Sequence, residues 1–380
     1  MFSPLLTLVA LFVSPAAVRA SPCVAFDTTW NLLAFGLDGK DWNAGTQDTW
    51  ASGTATDITT SGRPPFDGTN TTCFLSQYTN AIYVTNGDKS SPSSIHIYDA
   101  TAKSWSTQAV TTGSFDPSSF NAILDHDTNV FYALSHGELF HLDMGLLKAA
   151  NSTSLQWVDV EKAPYADGYQ PVMALAQNHV FFLNVPGTPA GSADIYVIHF
   201  DYFQPDAQAF PTSNGVIPAT YGQTASFFQD QGVQEAFAFI PSDSSATYVL
   251  NVQSNTTQTL AGPSTKDAGA TYFAGINSLV QLDSKGGVSY LPFNPSGASA
   301  NAAAQWSKVG SLAKAAPPSS SVSSSSSATS SSGTTKQSGS SNSSSSSSSS
   351  SPNGAAAVAP RGIVWAILGA AILGSGALLV

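Results

Sequence analysis

Residues Ile95-His96-Ile97-Tyr98-Asp99-Ala100-Thr101-Ala102-Lys103-Ser104-Trp105 form the clearest copy of a motif that recurs along this chain. The first residues are mostly β-branched or aromatic, and they predict a short buried strand. The aspartate that ends this strand can accept hydrogen bonds from backbone N–H groups two residues further on, which makes an Asx turn. The tryptophan after the turn predicts a large side chain that fills a gap between neighbouring sheets.

The same order of features returns at a regular period. Asp or Asn stands at positions 99, 143, 201, 251 and 294, so that neighbouring copies are 43 to 58 residues apart. These copies are closed by a large apolar residue: Trp105, Trp157, Phe210, Leu260 and Trp306. The first unit is less regular, with Asp38 and Trp50 as its expected counterparts. A further strand is predicted by apolar runs at 31–35, 81–84, 130–134, 180–183, 236–240 and 271–274.

A repeat of this length predicts one four-stranded sheet per unit and a radial arrangement, because such a sheet buries both faces only against neighbours. We therefore predict an all-β chain that folds as a β-propeller with six four-stranded blades. A seventh blade, split between the two ends of the body, stays open as an alternative. A β-sandwich would also space its strands regularly, but it would not explain the recurring order of strand, turn, Asp and aromatic residue.

The segment 95–105 resembles the second half of a kelch repeat, with Tyr98 and Trp105 at matching positions. The repeats are also similar to the propeller superfamily that includes the central domain of galactose oxidase. This resemblance spans most of residues 27–312, although the paired glycines expected after the first strand of a kelch unit are missing in every copy. It implies the propeller fold. An oxidase of this kind would also need two Tyr, two His and a thioether-linking Cys around copper.

The charge composition excludes several classes of protein. Only 10% of the 380 residues are charged, and the formal net charge is -11, with every acidic residue between Asp27 and Asp283. An acidic body repels phosphate, so we expect no nucleic-acid partner. The low charge content argues against coiled coils and long charged helices. Aromatic residues at 11%, with 30 Gly and 22 Pro, favour strands and turns.

The first 20 residues are typical of a secretory signal peptide. An apolar run from Leu5 to Val13 is followed by Pro15 and by the small-residue site Val18-Arg19-Ala20. The run is too short to span a membrane comfortably. We expect the mature chain to begin at Ser21 and its propeller ectodomain to cover residues 21–316.

Cys23 and Cys73 are the two cysteines of the chain. In an oxidising compartment a disulfide is their expected state, and it would close a loop of about 50 residues and stabilise the fold by ~4 kcal/mol. A functional thiol is the alternative, although the sequence has no Cys-x-x-Cys motif and no metal-ligand spacing. We expect ring closure to bring residues 23–36 beside residues 306–312, with the disulfide reinforcing that seam.

Several features predict an exported and tethered protein. Sequons predict N-glycosylated surface loops at Asn70, Asn151, Asn255 and Asn342. The Ser-rich residues 317–352 offer almost no apolar surface to bury, so they predict a solvated, O-glycosylated stalk. Small residues, a spacer and a terminal apolar run over 353–380 predict a GPI-anchor signal with Asn353 as the ω residue. A single tail-anchored transmembrane helix is the alternative.

No linear motif in the body predicts a catalytic residue, a cofactor or a metal site. The chain has six histidines, at positions 96, 126, 136, 141, 179 and 199. They form no His-x-His motif and no Cys/His cluster with the spacing of metal ligands. The densest polar cluster is Asp125-His126-Asp127, which could bind a cation or act as a general base. It immediately precedes the apolar run at 130–134, so the favoured interpretation is a polar turn.

These features favour a non-enzymatic surface protein on the outer face of the plasma membrane or in the cell wall. A GPI anchor would hold it to the membrane, and its loop-rich face would bind a glycan or another protein. The Ser-rich stem with a lipid anchor resembles fungal wall and plasma-membrane proteins. The alternatives are an extracellular oxidase or carbohydrate-active hydrolase on the same scaffold, and a structural wall component. A rim of Trp and Asp around the channel would favour sugar binding.

Overall fold

The computed structural model describes residues 21–212 and 216–318, which form six antiparallel sheets arranged as the blades of a β-propeller. The predicted fold class is therefore confirmed. Blade 1 contains β1 (Cys23–Phe26), β2 (Leu32–Leu37), β3 (Lys40–Asn43) and β4 (Thr56–Asp57). Blade 2 contains β5 (Thr72–Ser76), β6 (Ala81–Thr85), β7 (Ile95–Asp99) and β8 (Ser104–Gln108). Blade 3 contains β10 (Asn121–Asp125), β11 (Val130–Ser135), β12 (Glu138–Asp143) and β14 (Val158–Lys162).

The second half of the ring repeats this plan. Blade 4 contains β15 (Met173–Ala176), β16 (His179–Leu183), β17 (Ser192–Val197) and two short strands that both pair with β17, β18 (Tyr202–Phe203) and β19 (Gln208–Ala209). Blade 5 contains β20 (Gly222–Ser226), β21 (Ala236–Pro241), β22 (Ala246–Asn251) and β23 (Thr256–Ala261). Blade 6 contains β24 (Thr271–Ala274), β25 (Ser278–Leu282), β26 (Val288–Pro292) and β27 (Ser307–Lys308).

A few short elements lie outside the blades. β9 (Val110–Thr111) and β13 (Leu155–Gln156) form a parallel pair that links blades 2 and 3. The helices are α1 (Ala298–Ala303), α2 (Gly310–Ala315) and two 3-10 turns at Gln47–Thr49 and Ile198–Phe200.

The first strand of each blade is its innermost strand. The strands β1, β5, β10, β15, β20 and β24 contact one another in turn, and β24 contacts β1, which closes the ring. Each blade is built from consecutive strands, so blade 1 comes from the start of the ectodomain and blade 6 from its end. The described residues therefore leave no place for a split seventh blade.

The up-and-down order of the strands places the connections on two opposite faces of the ring. The turns between first and second strands, and those between third and fourth strands, lie on what we call the lower face. The turns between second and third strands, and the connections from one blade to the next, lie on the upper face. Any site built from loops therefore belongs to one face or the other.

Large apolar side chains fill each of the six spaces between neighbouring blades. Between blades 1 and 2, the ring centroid of Phe35 lies 5.1 Å from those of both Tyr98 and Trp105. Phe115 stacks on Trp157 at 4.1 Å in the cluster shared by blades 2 and 3. Full burial of one such side chain contributes about 1.5–3 kcal/mol. The expected role of the closing residues as fillers between sheets is confirmed.

The Asx turns form in three of the five predicted copies. Asp99 Oδ1 accepts hydrogen bonds from the backbone N–H groups of Thr101 and Ala102 at 2.9 and 2.8 Å. Asp143 and Asn294 likewise accept an N–H two residues further on, whereas Asn251 Oδ1 accepts the N–H of Ser254, three residues on. Asp201 follows the second 3-10 turn with φ of 50° and accepts a hydrogen bond from the Tyr196 hydroxyl at 3.2 Å.

One sequence assignment was wrong. In the first unit, Asp38 lies in the turn between β2 and β3, and Asn43 is the true counterpart, since it ends the third strand and its Oδ1 accepts the Gly45 N–H at 2.7 Å. The strand predicted at residues 271–274 forms, but it is the innermost strand of blade 6, whereas the corresponding runs of the other five units form second strands. The pattern does not distinguish the two positions because an inner strand and a second strand are equally short and apolar.

The ring closes at a seam between blades 1 and 6. Val309 and Leu312 pack in one apolar cluster with Phe26 and Trp50. The backbone N–H of Ser311 donates to the Trp50 carbonyl at 2.9 Å. This confirms the expected approach of residues 306–312 to the N-terminal strands, with α2 lying over the seam.

The predicted disulfide between Cys23 and Cys73 is confirmed, with Cα atoms 5.7 Å apart. Its expected position was wrong, because Cys23 lies on β1 and Cys73 on β5. It therefore joins the innermost strands of blades 1 and 2, one interface away from the seam. Both sulfur atoms are bonded to each other, so the alternative of a functional thiol is excluded.

The predicted signal peptide at residues 1–20 lies outside the described residues. So do residues 319–352 of the predicted stalk, the sequon at Asn342, and the predicted anchor signal at 353–380 with Asn353. Across residues 21–212 and 216–318, no helix combines the length and the apolar character needed to cross a bilayer.

Candidate functional site

A cleft of about 630 Å³ opens on the lower face between blades 1 and 6, and we call it the lower cleft. It is lined by Trp30 from the β1–β2 turn, by Tyr290 on β26, and by residues 46–48 of the loop after β3. Phe26 and Phe293 also line it and are buried, whereas Trp30 and Tyr290 are half-buried. The lower cleft thus presents several aromatic rings within one concave surface.

Polar side chains surround these rings. The exposed ones are Thr29, Asp48, Asn277 and Asn294. Asp48 Oδ1 accepts a hydrogen bond from Thr46 Oγ1 at 2.5 Å. Gln47 Oε1 is shielded from solvent and has no hydrogen-bond partner among the described residues. Aromatic faces beside hydrogen-bonding groups suit a ligand with apolar C–H faces and hydroxyl edges, which is the chemistry of a sugar ring.

The connection between β20 and β21, residues 227–235, crosses the lower mouth of the ring, and we call it the plug segment. It forms hydrogen bonds with all five other blades: Phe228 N–H to the Gly275 carbonyl (3.2 Å), Trp30 Nε1 to Asp230 Oδ1 (3.2 Å), Gln77 Nε2 to the Gln229 carbonyl (2.9 Å), His126 Nε2 to the Gly232 carbonyl (3.2 Å) and Gln177 N–H to the Gln234 carbonyl (2.7 Å). The plug segment therefore covers the lower end of the central channel. Through Asp230 it also holds the indole of Trp30, a wall of the lower cleft.

The polar cluster at residues 125–127 begins at Asp125, the last residue of β10, and continues into the turn before β11. Asp125 is fully buried, and its Oδ2 accepts a hydrogen bond from Thr128 Oγ1 at 2.6 Å. His126 Nε2 faces two acceptors, the Gly232 carbonyl and Asp127 Oδ1 at 3.1 Å, so this nitrogen carries a hydrogen. Asn178 of blade 4 donates to Asp127 Oδ2 at 2.6 Å. The cluster thus links blade 3 to the plug segment and to blade 4.

The histidines are distributed over several blades. His96 lies on β7 of blade 2, His141 on β12 of blade 3 and His179 at the start of β16 of blade 4, so each stands on a different blade. Within residues 21–212 and 216–318, no group of three His, Cys, Asp or Glu side chains is arranged to hold a metal ion. Because both cysteines form the disulfide, neither can supply the thioether that the resemblance to galactose oxidase would require.

A second cleft, of about 730 Å³, lies on the upper face at blades 3 and 4, and we call it the upper cleft. It is lined by Tyr165, Tyr169 and Tyr221 from blade-to-blade connections. Burial raises the pKa of the Tyr165 and Tyr169 phenols above their ordinary value, so both keep their protons at neutral pH. The Tyr169 hydroxyl donates to the Leu183 carbonyl at 2.8 Å, whereas the Tyr165 hydroxyl is shielded and has no partner among the described residues.

Three of the predicted glycosylation sites fall within the described residues, and all three asparagines are exposed. Asn70 lies in the connection from blade 1 to blade 2 and lines the upper cleft. Asn151 and Asn255 lie in lower-face connections of blades 3 and 5. These positions are compatible with the surface loops that the sequons predict.

Sequence reasoning missed the lower cleft and the plug segment. Trp30 stands in a turn and Tyr290 in a predicted strand, and neither position signals a shared cavity. The plug segment had one readable signal: nine residues separate β20 and β21, against two to five in the corresponding turns of the other blades. That signal could be used only once the first strands were known.

No protein-family model matches this chain, and no curated protein matches it. Among solved structures, one similar chain is that of YjhT. It is 10% identical in sequence, the alignment covers 73% of this chain and 95% of that one, and the TM-score is 0.45. A likeness at this level says nothing about the ligand. The assignment as a six-bladed propeller rests on the strand order and on the closed ring of inner strands.

Proposed function

We propose that this chain is an exported, GPI-anchored, kelch-like propeller that acts as a binding module without catalysis and holds a carbohydrate in the lower cleft. The observation that carries the proposal is the aromatic wall of Trp30 and Tyr290 set among exposed side-chain carboxylate, amide and hydroxyl groups. A half-buried aromatic ring can stack on the apolar face of a sugar, while neighbouring polar groups bond its hydroxyls.

The electrostatic character of the chain supports a neutral or basic ligand. The body is acidic, and Asp48 contributes a carboxylate directly to the rim of the lower cleft. A phosphorylated or strongly acidic ligand would be repelled at this place. Neutral wall-type oligosaccharides carry no such penalty, and carboxylates accept hydrogen bonds from sugar hydroxyls readily.

The cellular location of the protein is also part of this proposal. The disulfide between Cys23 and Cys73 supports an oxidising compartment, since cytosolic thiols are kept reduced. The apolar N-terminal segment, the Ser-rich stretch and the apolar C-terminal run support export, a stalk and a lipid anchor. Release of the protein from cells by a phosphatidylinositol-specific phospholipase would test the anchor, and retention after this treatment would favour the transmembrane alternative.

The binding proposal is tested by titrating the secreted protein with laminarihexaose, chitohexaose and mannohexaose in a calorimeter. We expect one of these neutral hexasaccharides to bind. Because Asp48 and Asn277 are exposed at the cleft, Asp48→Ala combined with Asn277→Ala should weaken binding by about tenfold without changing the fold.

The matched control is Asp206→Ala, which removes an exposed carboxylate from blade 4 at a position that lines neither cleft. This variant should bind with wild-type affinity. An equal loss of affinity in both variants, or the absence of binding to all three probes by folded protein, would contradict the proposal. Turnover of a probe during the titration would instead favour the hydrolase alternative.

A further inference from the structure

The upper cleft is lined by aromatic and polar side chains, and the proposed function assigns it no ligand. Its walls combine the rings of Phe120, Tyr165 and Tyr221 with the amide of Asn121 and the Lys162 side chain. Tyr221 is 41% exposed, so one of these rings is offered to solvent.

One wall of the upper cleft is the sequon asparagine Asn70. Its side chain is exposed, and its backbone is left-handed, with φ of 57°. Asparagine tolerates this conformation better than most residues. Thr71 behind it is buried and donates to the Asn86 carbonyl at 2.8 Å, which fixes the backbone next to Asn70. A group attached to Asn70 would therefore begin at the cleft from a defined position.

We propose that the upper cleft is the packing site for the first sugars of an N-linked glycan carried by Asn70 of the same chain. Attachment joins Asn70 Nδ2 to the anomeric carbon of a lipid-pyrophosphate-linked oligosaccharide; the nitrogen loses a proton and the lipid pyrophosphate leaves. The first sugars then lie against the aromatic wall, with Tyr221 as the exposed stacking surface. This inference rests on the export included in the proposed function, and it is independent of the ligand in the lower cleft.

The other two sequons in the described residues provide an internal comparison. Asn151 and Asn255 are exposed in lower-face loops, and neither lines the lower or the upper cleft. Asn151 Oδ1 is engaged by the Thr153 N–H at 2.8 Å within its own loop. Glycans at these two positions should extend into solvent, so their removal should leave the hydrogen exchange of neighbouring segments unchanged.

The experiment uses the full chain secreted from a eukaryotic host and compares the wild type with Thr72→Val. This substitution destroys the Asn70 sequon and keeps a β-branched residue at an exposed position of β5. Mass spectrometry measures occupancy of each sequon, and hydrogen exchange is measured over residues 118–121 and 165–170. We expect Asn70 to be occupied in the wild type, and exchange in both segments to be about tenfold faster in Thr72→Val.

Thr153→Val removes the Asn151 sequon in the same way and should leave exchange in both segments at the wild-type rate. Tyr221→Ser keeps the glycan but removes its stacking surface, so it should give part of the same acceleration, and adding it to Thr72→Val should change little further. If Thr72→Val does not fold, enzymatic removal of the glycan from folded wild-type protein provides the same comparison.

The outcomes separate this inference from the proposed function. A glycan on Asn151 or Asn255 together with an unoccupied Asn70 would overturn the inference and leave export standing. An occupied Asn70 whose removal leaves exchange unchanged would also overturn it. A secreted chain with no glycan on any sequon would count against the inference. Failure of the chain to be secreted at all would instead count against the proposed extracellular location.

Discussion

At the scale of single residues, the buried carboxylate of Asp41 is the site at which a substitution of its partners is expected to be tolerated least. It is fully buried, and the Arg63 guanidinium donates to both of its oxygens, from Nη2 at 2.8 Å and from Nε at 3.0 Å. The Gly36 N–H donates to the same carboxylate at 2.9 Å. Gly36 has φ of 72°, and a Cβ there would lie 2.6 Å from the Phe66 ring, so no other residue fits without displacement.

Arg63→Met should destabilise the fold by about 3 kcal/mol, because it leaves the buried Asp41 charge without its partner. Urea denaturation monitored by tryptophan fluorescence would measure the loss. The control is Lys40→Met, which breaks the exposed ion pair between Lys40 and Asp57 and should have little effect. Similar losses in the two variants would show that the buried pair has no special role.

A pH dependence is expected from His96, which is buried on β7 with its Nδ1 3.1 Å from Thr107 Oγ1. Burial lowers the pKa of this imidazole, and the Asp88 charge opposes that effect in part. As the pH falls below the ordinary histidine range near ~6.5, the unfolded chain takes up a proton that the folded chain does not. The free energy of unfolding should therefore fall until the pH reaches the lowered pKa.

His96→Gln removes this titration, and its free energy of unfolding should decline less steeply between about pH 7 and pH 5. Denaturant titrations at a series of pH values would measure both slopes. Parallel curves for His96→Gln and the wild type would show that His96 does not contribute to the decline.

At the scale of elements, the plug segment differs most from the repeat. Corresponding turns in the other blades are two to five residues long, whereas the plug segment reaches across the ring. Phe228 within it is buried and stacks on Phe273 with ring centroids 6.1 Å apart. Its ring also lies 5.9 Å from that of Trp30. The repeat explains the blades, but the segment that ties them together at the centre departs from the repeat.

Phe228→Ala should lower the free energy of unfolding by about 3 kcal/mol, because it leaves a cavity among rings of several blades. Phe200→Ala is the matched control, since Phe200 is 77% exposed and its loss should cost little. Differential scanning calorimetry compares the two variants. In Phe228→Ala we also expect weaker sugar binding at the lower cleft, since Trp30 loses a neighbour.

At the scale of the whole molecule, the ring is held by the seam and by the disulfide. No strand is exchanged between blades 1 and 6, so closure depends on contacts between β1 and β24 and on the packing of α2. The disulfide fixes the next interface, between blades 1 and 2. The N-terminal blade is thus secured on both sides by different means.

Leu312→Ala should destabilise the whole ring by about 2–5 kcal/mol, because Leu312 is buried at the seam. Lys314→Ala removes from the same helix only an exposed hydrogen bond to the Ser52 carbonyl, at 3.2 Å, and serves as the control. Thermal unfolding with circular dichroism measures both. Equal melting temperatures for Leu312→Ala and Lys314→Ala would mean that α2 does not hold the seam.

The amino-acid sequence by itself determined the strands that carry the repeat, most of the Asx turns, the closing aromatic residues and the pairing of the two cysteines. These follow from local chemistry: strand propensity, turn hydrogen bonds, burial of large rings and the redox state of a compartment. The roles of residues such as Trp105 and Asp99 can be predicted from the residues next to them in the sequence.

Only the tertiary structure decided which residues share the two clefts, which interface the disulfide joins, and that residues 227–235 cover the channel. Trp30 and Tyr290 are separated by most of the chain and meet because the ring closes with six blades. Such proximity depends on the blade number and on which strand of each blade lies innermost. No local pattern encodes either quantity, since the first and second strands of the blades are similarly short and apolar.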